Sequence, residues 1–177
     1  MKDSRMTIVV VSYDGYCDMW PDFFKLKKIN WPDCPYETVL SNNTKSFIDD
    51  SVRVINCGSE AVWSTRTRTA LKDINSKYIC FILEDYFISS KVETSNFKKA
   101  IDLMEKEELL YYKLTTFSKL NTPKYKQINY LQVIDSTLKY GVSLQAAIWN
   151  REHFLSLIGD GDYNPWRFEV YILFIIF

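Results

Sequence analysis

The sequence predicts an α/β protein with a mostly parallel central sheet and helices on both of its faces. Three observations carry this. Tyr78 to Leu83 is a run of six uncharged aromatic and aliphatic residues, the pattern of a strand buried on both faces. Just before it, Trp63, Thr67, Ala70 and Ile74 recur at helical spacing within Ala61 to Asn75. Up to Leu83 the segments read strand, helix, strand, strand, helix, strand, an order that builds parallel sheets through crossover helices.

Taken in order, Thr7 to Ser12 is a β-branched run that ends at the turn signal Tyr13-Asp14-Gly15-Tyr16. Trp20 to Ile29 suits a short helix with Pro21 in its first turn, and Trp31-Pro32-Asp33-Cys34-Pro35 breaks it. Tyr36 to Leu40 makes a second strand ending in Ser41-Asn42-Asn43, and Ser51 to Cys57 a third, closed by Gly58. Ser59 has the chemistry of an N-cap for the helix at Ala61 to Asn75. The strand Lys77 to Leu83 follows, then a helix from Asn96 to Glu107 with Phe97, Ala100, Ile101 and Met104 on its apolar side. Tyr111 to Phe117 reads as a strand and Lys119 to Asn129 as a polar loop. Leu131 to Leu138 and Val142 to Trp149 read as further strands, and Arg151 to Ile158 as a short helix entered after Asn150. Gly159 to Pro165 is a loop. Val170 to Phe177 is wholly apolar but far short of the roughly 18 residues that span a membrane. It reads either as a final buried strand or as the end of a truncated copy.

Composition narrows the function classes. The 177 residues suit one domain with a substantial core. The 22 basic and 22 acidic residues cancel and form no basic block, which argues against nucleic acid or a polybasic membrane patch. Cys17, Cys34, Cys57 and Cys80 are scattered and His153 is the only histidine, so neither a zinc site nor a disulfide framework is indicated. Cys57 and Cys80, in or beside apolar runs, read as small buried hydrophobes in a reducing cytoplasm.

The chemistry is expected where the apolar strand stops. In open α/β sheets ligands bind outside the carboxyl ends of the strands, which is where Glu84 and Asp85 fall. Asp160-Gly161-Asp162 is the one literal D-x-D, but it sits in a glycine-rich loop after a helix and reads as a turn.

A family resemblance sharpens this. The progression from Gly58 to Arg68, through Ala70-Leu71 and Lys77-Tyr78-Ile79 to Leu83-Glu84-Asp85, resembles the helix and strand that lead into the D-x-D motif of GT-A nucleotide-sugar glycosyltransferases. Five motifs in order are similar to a bacterial group associated with surface and capsular polysaccharide synthesis. They are Ser12 to Tyr16, Trp31 to Pro35, Leu83 to Phe87, Ser143 to Trp149 and Asn164 to Glu169. The resemblance implies a GT-A-like domain over 1–177, its nucleotide-binding half at about 6–117 and its acceptor side at about 118–177. It implies transfer of a sugar from a nucleotide-diphospho-sugar to a glycan or lipid-linked acceptor, in the cytoplasm or at the inner face of the membrane. It also implies a divalent metal, Mg or Mn, held by Asp85 with Glu84 in support. Such an ion prefers hard carboxylate oxygens and neutralises charge on a diphosphate leaving group.

By position, Tyr13 and Asp14 line the donor pocket, and Arg66 and Arg68 reach the diphosphate, Arg68 aligning with the donor-side arginine of the pattern. Glu169 is the candidate base that deprotonates an acceptor hydroxyl. Gln145 is expected to orient the site, and Trp149 and Trp166 to stack on sugar rings. Three positions depart from the pattern: Tyr86 stands where the second acid of D-x-D belongs, Arg167 stands where an acid is usual, and the chain ends soon after Glu169. The alternative these departures raise is a non-catalytic nucleotide-binding protein of the same fold.

Overall fold

The computed structural model describes residues 2–115, 123–128, 131–134 and 142–175. The strands are β1 (Met6–Val11), β2 (Glu37–Asn42), β3 (Arg53–Asn56), β4 (Tyr78–Ile82), β5 (Tyr111–Lys113) and β6 (Ala147–Asn150). The helices are α1 (Trp20–Asn30), α2 (Trp63–Asp73), α3 (Thr94–Lys106), α4 (Arg151–Ile158) and α5 (Pro165–Ile175). The described strands form one six-stranded sheet in the order β3-β2-β1-β4-β6-β5. β1 pairs in parallel with β2 and β4, and β2 with β3, while β6 runs antiparallel to both β4 and β5. The sheet is therefore mostly parallel, with helices on both faces.

Every residue of β1 and β4 is buried. Successive side chains of a strand point to opposite faces, so these two strands feed two cores. Val9, Val11, Ile79 and Phe81 pack with Trp63, Ala70 and Leu71 of α2, Phe154 and Leu157 of α4, and Phe168 of α5. Met6, Ile8, Val10, Tyr78 and Cys80 pack with Trp20, Phe23 and Phe24 of α1 and with Ala100, Ile101 and Met104 of α3. Apolar alternation at two faces is what turns the continuous hydrophobic runs of the sequence into central strands.

Several local expectations change. The second helix begins at Trp63 after an extended Val62 whose side chain makes no capping bond, so Ser59 is not its N-cap. Residues 58–61 instead form a turn, with Gly58 at φ 101, a left-handed conformation that favours glycine. Asn150 is a true cap, its Oδ1 accepting from the His153 backbone N–H at 3.0 Å. The strand expected over Val142 to Trp149 is paired only from Ala147, because residues 142–146 bend along the carboxyl edge of the sheet. β5 is three residues long, and residues 116–117 of the expected strand lie outside the described set. So do 135–138 of the strand expected at Leu131 to Leu138 and 119–122 and 129 of the polar loop; Tyr125–Gln127 is a short 3-10 turn.

The apolar tail is not a strand. Pro165–Ile175 is helical, entered from Asn164, whose Oδ1 accepts from the Arg167 backbone N–H at 2.9 Å. Residues 176–177 lie outside the described set. Cys80 is buried as expected, whereas Cys57 is only partly so. No helix among the described residues is long and apolar enough to cross a membrane.

Candidate functional site

The parallel strands end on a common edge, and the loops that leave them there carry polar side chains the core does not need. Asp14, just past β1, reaches across to the turn that follows β2. Its carboxylate accepts from the backbone N–H groups of Asn43 at 3.2 Å, Thr44 at 3.1 Å and Lys45 at 3.2 Å, and from the Thr44 hydroxyl at 2.6 Å. Burial works against the charge, yet bonds from the Thr44 hydroxyl and the three backbone groups hold the carboxyl below its ordinary 3.8. Asp14 thus ties the first two loops together with its acceptor sites occupied.

Asn43 continues the tie. Its Nδ2 donates to the carbonyls of Gly58 at 3.0 Å, Ser59 at 3.1 Å and Ala61 at 2.9 Å, which pins the loop after β3. Its Oδ1 accepts from Arg66 Nη1 at 3.4 Å, and the same Nη1 donates to the Ala61 carbonyl. Arg66 is 9% exposed, and its Nε has no partner among the described residues. Its guanidinium lies over the Tyr13 ring, 5.8 Å from the centroid. Burial pulls its pKa below the usual 12.5, against the fields of Cys57, Glu84, Asp14 and Tyr13. A buried cation with an unused donor is electrostatically prepared for an anion.

Glu84 lies at the end of β4, 6% exposed. Burial, with Asp85 adding to it, pushes its carboxyl up from 4.5, while Arg66 and the Ser12 hydroxyl draw it back. Asp85 is exposed. Of the two acids it is therefore the one open to an added ligand. Tyr86 is half-buried, hydrogen-bonded to Gln145, and its phenol is pushed upward by burial and by the charges of Asp85 and Glu169. Among the described residues no group of three His, Cys, Asp or Glu side chains is placed to hold a metal ion. What the edge offers a divalent cation is Asp85 with Glu84 behind it, a set that substrate phosphate oxygens would have to complete.

On the far side of β4 the same edge carries Glu169, Gln145 and two residues the sequence did not single out, Lys113 and Ser143. Glu169 Oε1 accepts from the Leu144 backbone N–H at 3.0 Å. Lys113 Nζ donates to Ser143 Oγ at 3.1 Å. Gln145 Oε1 accepts from the Thr115 hydroxyl at 3.2 Å, and Tyr111 O–H donates to the Ser143 carbonyl at 3.4 Å.

The remaining candidates lie elsewhere. Arg68 is turned away onto the loop before α5, donating to the carbonyls of Gly159 at 3.2 Å and Gly161 at 2.6 Å and to Asp162 Oδ1 at 2.9 Å. Asp162 also accepts from the Thr65 hydroxyl at 2.8 Å, so this literal D-x-D anchors a turn, as its loop position implied. Trp149 is 1% exposed, with its ring stacked on Phe154 at 4.6 Å, and has no face to offer a sugar. Trp166 is 73% exposed on α5. The structure thus brings together Tyr13, Asp14, Arg66, Glu84 and Asp85 on one side, with Gln145 and Glu169 reached through Tyr86 on the other. Asn43 was marked in the sequence by the Ser-Asn-Asn strand end, a position where Asn side chains take over backbone bonds.

Asp14 gives a pH prediction. A carboxyl whose folded pKa is depressed stabilises the fold fully above its unfolded value, and that contribution is lost as pH falls through the folded one. Relative to wild type, Asp14→Asn is expected to be less stable at neutral pH by ~1 kcal/mol. The gap should close below about pH 3.8, which urea melts at neutral and acid pH would measure.

No family model and no curated protein matches the chain. Solved structures of similar fold include two that align over nearly the whole chain. The bifunctional IspDF from Campylobacter jejuni aligns over 94% of this chain and 47% of its own, at 10% identity and a TM-score of 0.54. S. aureus TarS 1-349 aligns over 97% of this chain and 54% of its own, at 12% identity and a TM-score of 0.55. The chain spans about half the length of either structure, and at these identities the likeness is one of fold. With the sheet order and the two-sided helix layering, it establishes an α/β, GT-A-like architecture whose loops gather at the carboxyl edge of the sheet.

Proposed function

We propose that the protein is a glycosyltransferase that binds a nucleotide-diphospho-sugar at the carboxyl edge of its sheet and moves the sugar to a glycan or lipid-linked acceptor. The observation that carries this is Arg66, a buried guanidinium with an unused Nε, held by Asn43 and Ala61 beside the acid-tipped end of β4. Cytoplasmic surface-polysaccharide assembly remains the setting implied by the sequence motifs, and a hexosyl donor the narrower form of the proposal.

In this reading Tyr13 and Arg66 take the nucleotide and its diphosphate, with Asp14 and Asn43 fixing the loops that present them. Asp85, supported by Glu84, would hold Mg or Mn, which when bound supplies positive charge for the leaving diphosphate. Glu169 takes the proton of the acceptor hydroxyl, and Gln145 holds that side of the site. The oxygen–C1 bond forms as the C1–phosphate bond breaks, and the electron pair leaves with the diphosphate. Positioning and fixed charge supply most of the rate.

The alternative is a nucleotide-binding protein of the same fold without transfer, favoured by Tyr86 at the second-acid position. Incubation with a panel of nucleotide-sugars separates the two, read as nucleoside diphosphate release. Turnover that Asp85→Asn abolishes while circular dichroism is unchanged supports the transferase. Nucleotide binding without turnover of any donor supports the alternative.

A further inference from the structure

Val39, Val9, Phe81, Ala147 and Lys113 form one register row across β2, β1, β4, β6 and β5. The first four are 0% exposed members of one core. The row then ends on a cation, where the pattern of the sheet calls for another apolar side chain. An inward lysine on an edge strand can serve only to deter strand addition. Lys113 does more, because its ammonium is anchored on Ser143 Oγ at 3.1 Å, one residue from the Leu144 N–H that holds Glu169 at 3.0 Å. Two opposite charges from distant parts of the chain, one on β5 and one on α5, thus converge on consecutive residues of the 142–146 bend.

We propose that Lys113 is a positioning residue for Glu169, fixing where that carboxylate stands when it receives the proton of an acceptor hydroxyl. This rests on the transferase reading and adds to it a residue of the acceptor side. The Leu144 N–H holds the Glu169 carboxylate on the bend, and the ammonium seated one residue away adds its charge. The proton passes from the acceptor oxygen to Glu169, and Lys113 keeps its own throughout.

The surroundings agree with a coupled pair. Burial pulls the Lys113 pKa down to about 8, and Glu169 is the charge that opposes the fall. Among the described residues, the other titratable groups about the pair include Tyr86, in the loop after β4, and Tyr111 on the strand of Lys113 itself, both phenols raised chiefly by burial.

Trace acylation with acetic anhydride, mapped by mass spectrometry across pH, tests the coupling without a known substrate. Lys113 should label with a midpoint near 8, and in Glu169→Gln that midpoint should move down, because the charge that supports the ammonium is gone. On any donor that turns over, Lys113→Met should lower kcat about ten- to hundredfold with donor KM unchanged, and Lys113→Arg should recover part of the loss. A midpoint that ignores Glu169→Gln, or a Lys113→Met enzyme with wild-type kcat, overturns the proposal. Failure of every nucleoside diphosphate to bind would instead sink the transferase reading, and the acylation midpoint would still decide whether the two charges are coupled.

Discussion

Arg66→Met is expected to weaken nucleoside diphosphate binding about ten- to hundredfold while leaving the melting temperature unchanged or higher. The first half follows from charge-assisted hydrogen bonds, worth about 1.5–3 kcal/mol each when a guanidinium meets a phosphate. At about 1.4 kcal/mol per factor of ten, one such bond lost gives that range. The second half follows from the cost of keeping the cation. Arg66 is 9% exposed, its Nε is unsatisfied, and burial already pulls its pKa down. Replacing a buried charge with an apolar chain of similar length is often neutral or stabilising. Asn43 loses only one bond at 3.4 Å, because its Nδ2 still holds three carbonyls. A residue kept at a cost to the fold and needed for the ligand is the signature of a site, and thermal melts with binding isotherms on one variant would read both halves. A variant that unfolds at lower temperature yet binds as wild type would assign Arg66 to structure alone.

Trp149→Ala should produce the largest loss of stability, about 3–5 kcal/mol. The indole is 1% exposed, stacks on Phe154 at 4.6 Å and lies against Tyr111 at 4.3 Å. It sits on β6, which joins β4 to the outermost strand β5, so a cavity there loosens both pairings. Trp149→Phe fills most of the space and leaves no buried indole N–H, which in the wild type has no partner. It should cost far less and leave nucleotide affinity intact, as chemical denaturation and calorimetry on the two variants would show.

The sequence made the parallel half of the sheet legible because the interactions that define it are local. The runs at β1 and β4 are buried on both faces, so their apolar continuity survives without knowledge of their partners. α4 was legible to the residue because Asn150 caps it. β6 was harder, since a strand inserted antiparallel between β4 and β5 is chosen by pairing with distant segments, which periodicity does not encode. Val170 to Phe177 is apolar throughout and gives no period at all, and the useful signal lay upstream, in an Asn-Pro pair that caps and opens α5.

The candidate site shows the same division. Glu84 and Asp85 were visible as acids at the tip of an apolar strand. Between the two arginines of α2 the sequence pattern favoured Arg68, and only the packing of the 159–162 loop shows that Arg68 is engaged there while Arg66 faces the strand ends. Lys113 was hidden by its type. A lysine in a short strand reads as a solvated residue until the register sets it at the end of an apolar row.

The central claim is that the carboxyl edge of this sheet receives a nucleoside diphosphate. Isothermal titration with a panel of nucleoside diphosphates, with and without manganese, tests it most directly. The account predicts that at least one of them binds at a single site, that Arg66→Met weakens it, and that Lys113→Met leaves it unchanged. Absence of binding by every member of the panel to the folded protein would contradict it.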